Sequence, residues 1–209
     1  MLFNIESKVD AVTPTNSRGP EDFVKLQHQV FVQSGYSLKN IIYQSFDWRT
    51  LIGMKALEPK IATAALASSA TVGEIDGTTP WLAGLKLSDF PGETLDLKVT
   101  NAAKSIKADI LSPSAVSNNS PVPDPQQAGY IPFTTKAMVD LAHKLGMTVI
   151  PWTVNRLNIA DQLLAWGVDG IISDYPTQMR RLVEQKGYRV TPTYSQDVVL
   201  KCLEKHTRK

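Results

Sequence analysis

The chain has 209 residues, 43% of them hydrophobic and 20% charged, an ordinary globular composition with room for one sizeable core. Twenty-two Lys and Arg against 20 Asp and Glu leave a net charge of +2, which gives no basic footprint for nucleic acid or an anionic membrane. One cysteine, Cys202, excludes a disulfide framework and a cysteine-based zinc site, and no apolar run reaches the ~20 residues of a membrane-spanning helix.

The opening MLFNIESKVD lacks the shape of a signal peptide and reads as a strand, Leu2-Phe3-Asn4-Ile5, continuing through Val9. After the turn-rich 13–19 segment, Pro20-Glu21-Asp22 is a good helix start, with proline in the first turn and acids toward the positive end of the dipole. Phe23, Leu26, Gln27 and Val30 would share one side of that helix, which ends near Gly35. Asn40-Ile41-Ile42-Tyr43 is the next strand, and Asp47 is a plausible N-cap for a helix opened by Trp48-Arg49-Thr50-Leu51. Ile61–Leu66 is a third strand, whose small residues suit a crowded interior. The stretch 68–91 reads as an inserted loop holding Trp81, followed by a short helix over Val99–Ile106 and a strand over Ala108–Leu111.

The proline-rich 112–132 segment cannot be a regular element, and so long a loop inside a domain is usually functional or an active-site lid. Thr134–Leu145 is then helical, with Thr134 or Thr135 as N-cap and Gly146 as its stop. Thr148-Val149-Ile150 is a strand, Asn158–Trp166 a helix stopped by Gly167, and Gly170-Ile171-Ile172 a sixth strand. Thr177–Gln185 is helical and stops at Gly187. The tail is expected to form one more helix from Ser195, with Val198, Val199, Cys202 and Leu203 on one face.

Strands alternating with helices at this spacing imply parallel pairing, because parallel neighbours need crossover connections. None of the six strands alternates cleanly between apolar and polar, as expected when both faces are covered. Polar residues sit just after most of them: Glu6, Ser45, Asp47, Ser112, Thr153, Asn155, Ser173 and Asp174. Chemistry at the carboxyl ends fits a (β/α)₈ barrel and an open doubly wound sheet alike. No Gly-rich phosphate loop is present, which lowers the open-sheet reading, yet a complete barrel takes ~250 residues and eight strands.

Four strings, in order, resemble the later strands of glycerophosphodiester phosphodiesterases: Phe3-Asn4-Ile5-Glu6-Ser7-Lys8, Gln44-Ser45-Phe46-Asp47-Trp48, Val149-Ile150-Pro151-Trp152-Thr153-Val154-Asn155, and the run from Gly167 to Pro176. The last two lie close together and are the most specific. The resemblance covers residues 2–187 and implies an incomplete (β/α)₈ TIM barrel, α/β in class, with about six of eight strands. Residues 1–187 would form the partial barrel domain and 188–209 a tail. It also implies a phosphoric diester hydrolase of glycerophospholipid metabolism, which splits a glycerophosphodiester into glycerol 3-phosphate and an alcohol with a divalent cation, Mg²⁺ or Ca²⁺.

The departures are as informative. The family's His-Arg-Gly motif, its Glu-x-Asp pair and its further His-Asp do not occur here, and the three histidines, His28, His143 and His206, fall in predicted helices and the tail. The sequence therefore resembles the C-terminal three-quarters of such an enzyme, either a piece whose first strands are encoded upstream or a natural short form. By the resemblance, Glu6 is a metal ligand rather than a solvated acid; Lys8, two residues on and on the same side of the strand, suits a catalytic cation near the phosphate or equally an ordinary surface lysine. Trp152 would line the glycerol end of the pocket by the resemblance, with core packing as the alternative. Asn155, Ser45 and Phe46 would contact substrate, although Asn155 could instead cap a helix, and Ser45 and Phe46 could serve a turn or packing. Asp174 would hold the loop after the last strand, Trp48, Trp81 and Trp166 would be packing, and Asn118-Asn119-Ser120 fits a glycosylation acceptor. Such cations take six or more oxygens, so one carboxylate holds them poorly and the chain alone is expected to be inactive. Related phospholipase D-type toxins fit badly with a single cysteine. A catalytically silent barrel with a binding or regulatory role is the alternative. The expected ligand is a small glycerophosphodiester, with no nucleic acid partner and no transmembrane segment.

Overall fold

The computed structural model describes residues 2–190 and 195–207, in two compact units, residues 1–174 and 175–209. The first is built on a parallel sheet: β1 (Phe3–Ser7), β2 (Ile41–Ser45), β3 (Ala62–Ala67), β4 (Ile110–Pro113) and β5 (Thr148–Val149), paired in that order. Between successive strands run α1 (Pro20–Gln33), α2 (Trp48–Leu57), α3 (Leu95–Ser105) and α4 (Lys136–Lys144), and α5 (Leu157–Ala165) follows β5. Spatial order equals chain order, with no reversal point. That is the winding of a barrel wall, whereas a doubly wound sheet reverses direction in its middle.

Local chemistry sets the helix ends. The Asp47 carboxylate accepts the Arg49 amide at 3.0 Å and caps α2, and Thr135, of the two threonines considered, accepts the Met138 amide at 3.0 Å and caps α4. Gly146 closes α4 at φ +77°, a left-handed conformation glycine adopts without penalty.

Register then assigns faces. Ile41, Tyr43 and Ser45 are buried toward the helices: the Tyr43 hydroxyl donates to Gln27 of α1 at 2.7 Å and its ring packs on Phe31. Glu6 pairs with Gln44, so these two share the opposite face with the residues two places before and after them. Every residue from Thr63 to Ala67 is buried, as small side chains in a crowded strand should be.

The structure revises several sequence expectations. Among the described residues five strands form, not six; the sixth segment still runs beside β5, with Asp169 N–H donating to Val149 O at 2.9 Å, Ile172 N–H to Pro151 O at 3.0 Å and Val154 N–H to Ile172 O at 2.9 Å. Helix α1 buries Val24 and Phe31, whereas Leu26 and Val30 of the expected face are exposed. The reason is its neighbour: α1 lies against α2 at Gly53, where a Cβ would sit 3.2 Å from the Val24 side chain. Helix α3 starts at Leu95 rather than Val99. The 68–91 loop packs inward through two short 3₁₀ turns, burying Val72, Thr79, Leu82 and Leu87.

The second unit contains α6 (Pro176–Gln185) and α7 (Gln196–Thr207); no residue of α7 is buried, and Val198, Val199 and Leu203 are exposed. Among the described residues no helix is long and apolar enough to cross a membrane.

Candidate functional site

Strands that run parallel present their carboxyl ends together, and there the structure has a pocket of about 260 Å³ lined by Glu6, Lys8, Gln44, Phe46, Leu66, Trp152, Thr153 and Ile172. Period-two geometry explains the membership. Glu6 and Lys8 lie on one side of β1 and its continuation, Gln44 and Phe46 on the same side of β2, and Leu66 follows on β3. Trp152 extends the β4–β5 pairing, bridging in parallel to Ser114.

One wall is charged. Glu6 Oε1 accepts a hydrogen bond from Lys8 Nζ at 2.7 Å, with the glutamate side chain 23% exposed and the lysine 78%. Beside them the Gln44 amide oxygen accepts from Asn4 Nδ2 at 2.7 Å. The other wall is aromatic. The Trp152 indole N–H donates to Ser112 O at 2.7 Å, which fixes the ring and leaves it an apolar surface to offer. Phe46 stands at 89° to it with ring centroids 5.3 Å apart, and Trp81 packs edge-on against Phe46 at 6.4 Å. Thr153, a polar residue expected at a strand end, is on the pocket, and so are Gln44, Leu66 and Ile172, to which the sequence assigns no role; Gln44 is reachable from the sequence, being two residues before Phe46 on one strand.

Two of the expected substrate contacts have other work. Ser45 is fully buried, its hydroxyl donating to Ser7 O at 2.9 Å and accepting from the Asp47 amide at 3.1 Å, so it joins β1 to β2 and is not on the pocket. Asn155 is exposed and clasps the end of the chain's sixth extended segment. Its Nδ2 donates to Asp174 Oδ2 at 2.7 Å, and its Oδ1 accepts from the Asp174 amide at 3.0 Å and the Ser173 hydroxyl at 3.2 Å. Arg156, not Asn155, occupies the N-cap position of α5. The clasp joins two pocket-lining stretches, 152–153 and 172. Trp48 is a core residue, wholly buried, with its indole N–H on Leu66 O at 2.9 Å.

The loop that leaves Lys8 is held by Asp10, whose carboxylate accepts from the Thr13 amide at 2.8 Å, the Asn16 side chain at 2.8 Å and the Val12 amide at 2.9 Å. Donation from Thr13, then from Asn16 and Val12, favours the ionised form and holds Asp10 below the usual carboxylate range. Hydrogen bonding to Asp47 pushes the Arg49 guanidinium further up.

The histidines lie elsewhere: His28 in α1, 4.0 Å from Glu58; His143 in α4, 2.8 Å from Asp169; His206 in α7. A divalent ion is poorly served here. Among the described residues no three of His, Cys, Asp and Glu come together to hold one, and the pocket offers a single carboxylate.

Comparison with known proteins finds relatives of the chain and of its fold. Over 41 residues the chain is 44% identical to YhdW of Bacillus subtilis (strain 168), named as a glycerophosphodiester phosphodiesterase, a match spanning 20% of this chain and 17% of that protein. A crystal structure from Silicibacter pomeroyi DSS-3, described as a glycerophosphoryl diester phosphodiesterase, superposes at a TM-score of 0.63 and 22% identity over 89% of this chain and 51% of that one. An Oleispira antarctica phosphodiesterase solved with the product sn-glycerol-3-phosphate gives 0.51 and 18% over 79% and 50%. The chain thus spans about half the length of these solved relatives, which share its fold. Residues 1–178 match the model of the glycerophosphoryl diester phosphodiesterase family, and the chain belongs to that family.

Proposed function

We propose that this protein takes small glycerophosphodiesters in the pocket at the strand ends and supplies the substrate-holding wall of a phosphoric diester hydrolase, which releases glycerol 3-phosphate and an alcohol. One observation carries the reading: a lysine-bearing charged wall and a right-angled aromatic corner line a single pocket of about 260 Å³. Lys8 neutralises the phosphate, and Trp152 and Phe46 cover the carbon face of the glycerol. Asn155 and Ser45 hold these walls in place from behind. The Oleispira relative, which holds sn-glycerol-3-phosphate, supports the ligand class.

Hydrolysis asks for more. Its transition state gathers charge on the phosphoryl oxygens and needs a placed acid and base. The family's divalent cation would stabilise that charge, with Glu6 the carboxylate the resemblance assigns to it. Glu6 alone, already bonded to Lys8, does not fit such an ion, and no imidazole lines the pocket. Turnover by these 209 residues alone is therefore not expected. The same observation favours a second reading, a family member that binds such ligands without cleaving them.

Calorimetric titration with glycerol 3-phosphate tests the proposal. Saturable binding, weakened at least about tenfold in both Lys8→Ala and Trp152→Ala, is the expected result, and an absence of saturable binding overturns it. Release of glycerol 3-phosphate from a glycerophosphodiester with Mg²⁺ or Ca²⁺, lost in Glu6→Ala, would instead show the chain to be active on its own.

A further inference from the structure

The donor set of the pocket disagrees with the metal the family implies, and the disagreement has a chemical content. Glu6 lies one residue before the end of β1, and its Oε1 is occupied by the ammonium of Lys8 at 2.7 Å. The remaining oxygen-bearing side chains on the pocket are Gln44, whose amide oxygen already accepts from Asn4, and Thr153. One neutralised carboxylate, one committed amide and one hydroxyl fall far short of the six or more oxygens, usually with several acidic groups, that a hard divalent ion takes.

Lys8 meets the same electrostatic requirement differently. An ammonium has three N–H donors; one is given to Glu6, and two remain for the non-bridging oxygens of a phosphate. Such a charge-assisted contact is among the stronger hydrogen bonds available at a protein surface. The cation that separates the carboxylate from the phosphate would thus be part of the chain, anchored to Glu6 and reaching outward, since the lysine side chain is 78% exposed. The aromatic corner of Phe46 and Trp152 needs no ion to cover the glycerol carbons.

We infer that this pocket binds phosphorylated glycerol without a divalent cation, the Lys8 ammonium standing where the ion would be. The inference rests on the reading of the pocket as a glycerophosphodiester site, and one experiment separates the two. Glycerol 3-phosphate is titrated into the full chain by calorimetry, once with a chelator and once with excess Mg²⁺ or Ca²⁺. The same is done for Lys8→Met, Lys8→Arg and Glu6→Gln, each first shown by its melting temperature to be folded. The expected result is an affinity that agrees within about twofold with and without the ion, falls at least about tenfold in Lys8→Met, and is restored to within about threefold by Lys8→Arg. An ion-dependent gain of about tenfold or more that Glu6→Gln abolishes overturns the inference and leaves the pocket reading standing. Absence of binding under both conditions overturns the pocket reading itself, and the inference with it.

Discussion

The two ends of the parallel sheet use acid–base pairs in opposite ways. At the amino end, Asp109 precedes β4, accepts the Thr63 amide at 2.7 Å, returns its own amide to Thr63 O at 3.1 Å and pairs with Lys55 of α2. Asp169 repeats the arrangement two units later: it accepts the Val149 amide at 2.7 Å, donates to Val149 O at 2.9 Å and lies 2.8 Å from His143 of α4. In both, the carboxylate closes a rung of the backbone ladder that would otherwise be open, and the side chain reaching over from a helix is secondary. At the carboxyl end, Glu6 bonds no backbone group, only the side chain of Lys8. A carboxylate committed to backbone N–H groups is structure; one bonded only to an exposed lysine side chain belongs to the pocket wall.

Asp47 sharpens that rule because it stands at the carboxyl end and still belongs to the structural class. It is wholly buried, caps α2 and takes the Arg49 guanidinium on both oxygens at 2.6–3.1 Å. Asp47→Ala removes the cap of α2 and the wholly buried carboxylate that holds the exposed Arg49 guanidinium, so the largest loss is expected there, about 2–3 kcal/mol in denaturant unfolding. Asp109→Ala follows, at about 2–3 kcal/mol, since the Thr63 amide is buried and Lys55 is left without its acid. Ligand affinity of the folded fraction should be little changed by Asp109→Ala, whose site is at the far end of the strands. If instead Asp109→Ala leaves stability intact and weakens binding, the contrast between the two ends is wrong.

Lys8→Ala is the mirror case. An exposed ion pair contributes at most about 1 kcal/mol, so the unfolding midpoint should barely move while glycerol 3-phosphate affinity collapses. Asn155→Ala lies between the classes. Losing the clasp on Ser173 and Asp174 should cost about 1 kcal/mol and loosen ligand binding by only a few fold, through the displaced Trp152 and Thr153 wall. A loss at Asn155 as large as that at Lys8 would mean it touches the ligand directly.

How far these roles were legible in the sequence follows the same division. Glu6 and Trp152 stand in motifs whose order and spacing survive without coordinates, and the structure brings both to one pocket with Lys8 and Phe46. Ser45 and Asn155 were harder, because small polar residues after a strand serve turns and clasps as readily as ligands, and only hydrogen-bond partners tell these apart. In α1 the expected stripe Phe23-Leu26-Gln27-Val30 and a second, Val24-Gln27-Phe31, share Gln27 and both satisfy a period of 3.6. The close approach of Val24 to Gly53 of α2 selects the second, and no local pattern encodes that contact. The extended segment 170–172 reads as a strand from its apolar run and does bond to the chain beside β5, yet its pairing is too short and irregular to be one.

The smallest effect expected concerns Asp10, which organises the loop leaving Lys8. Its carboxylate accepts three donors, and its folded-state affinity for protons lies below the ordinary ~3.9 of an unfolded aspartate. A depressed carboxylate contributes stability that is fully present above the unfolded value and is lost as pH falls through the folded one. The group is at the surface, so the contribution is modest and screened by salt. Comparing melting temperatures of the parent chain and Asp10→Asn from neutral pH into strong acid isolates it. The parent should hold a small advantage at neutral pH that shrinks below about pH 4 and vanishes once Asp10 is protonated in the folded state. A difference that stays constant across the series would mean that the loop is held by its amides and hydroxyls alone. In that case the charge of Asp10 has no part in placing Lys8, and the charged wall of the pocket reduces to the Glu6–Lys8 pair.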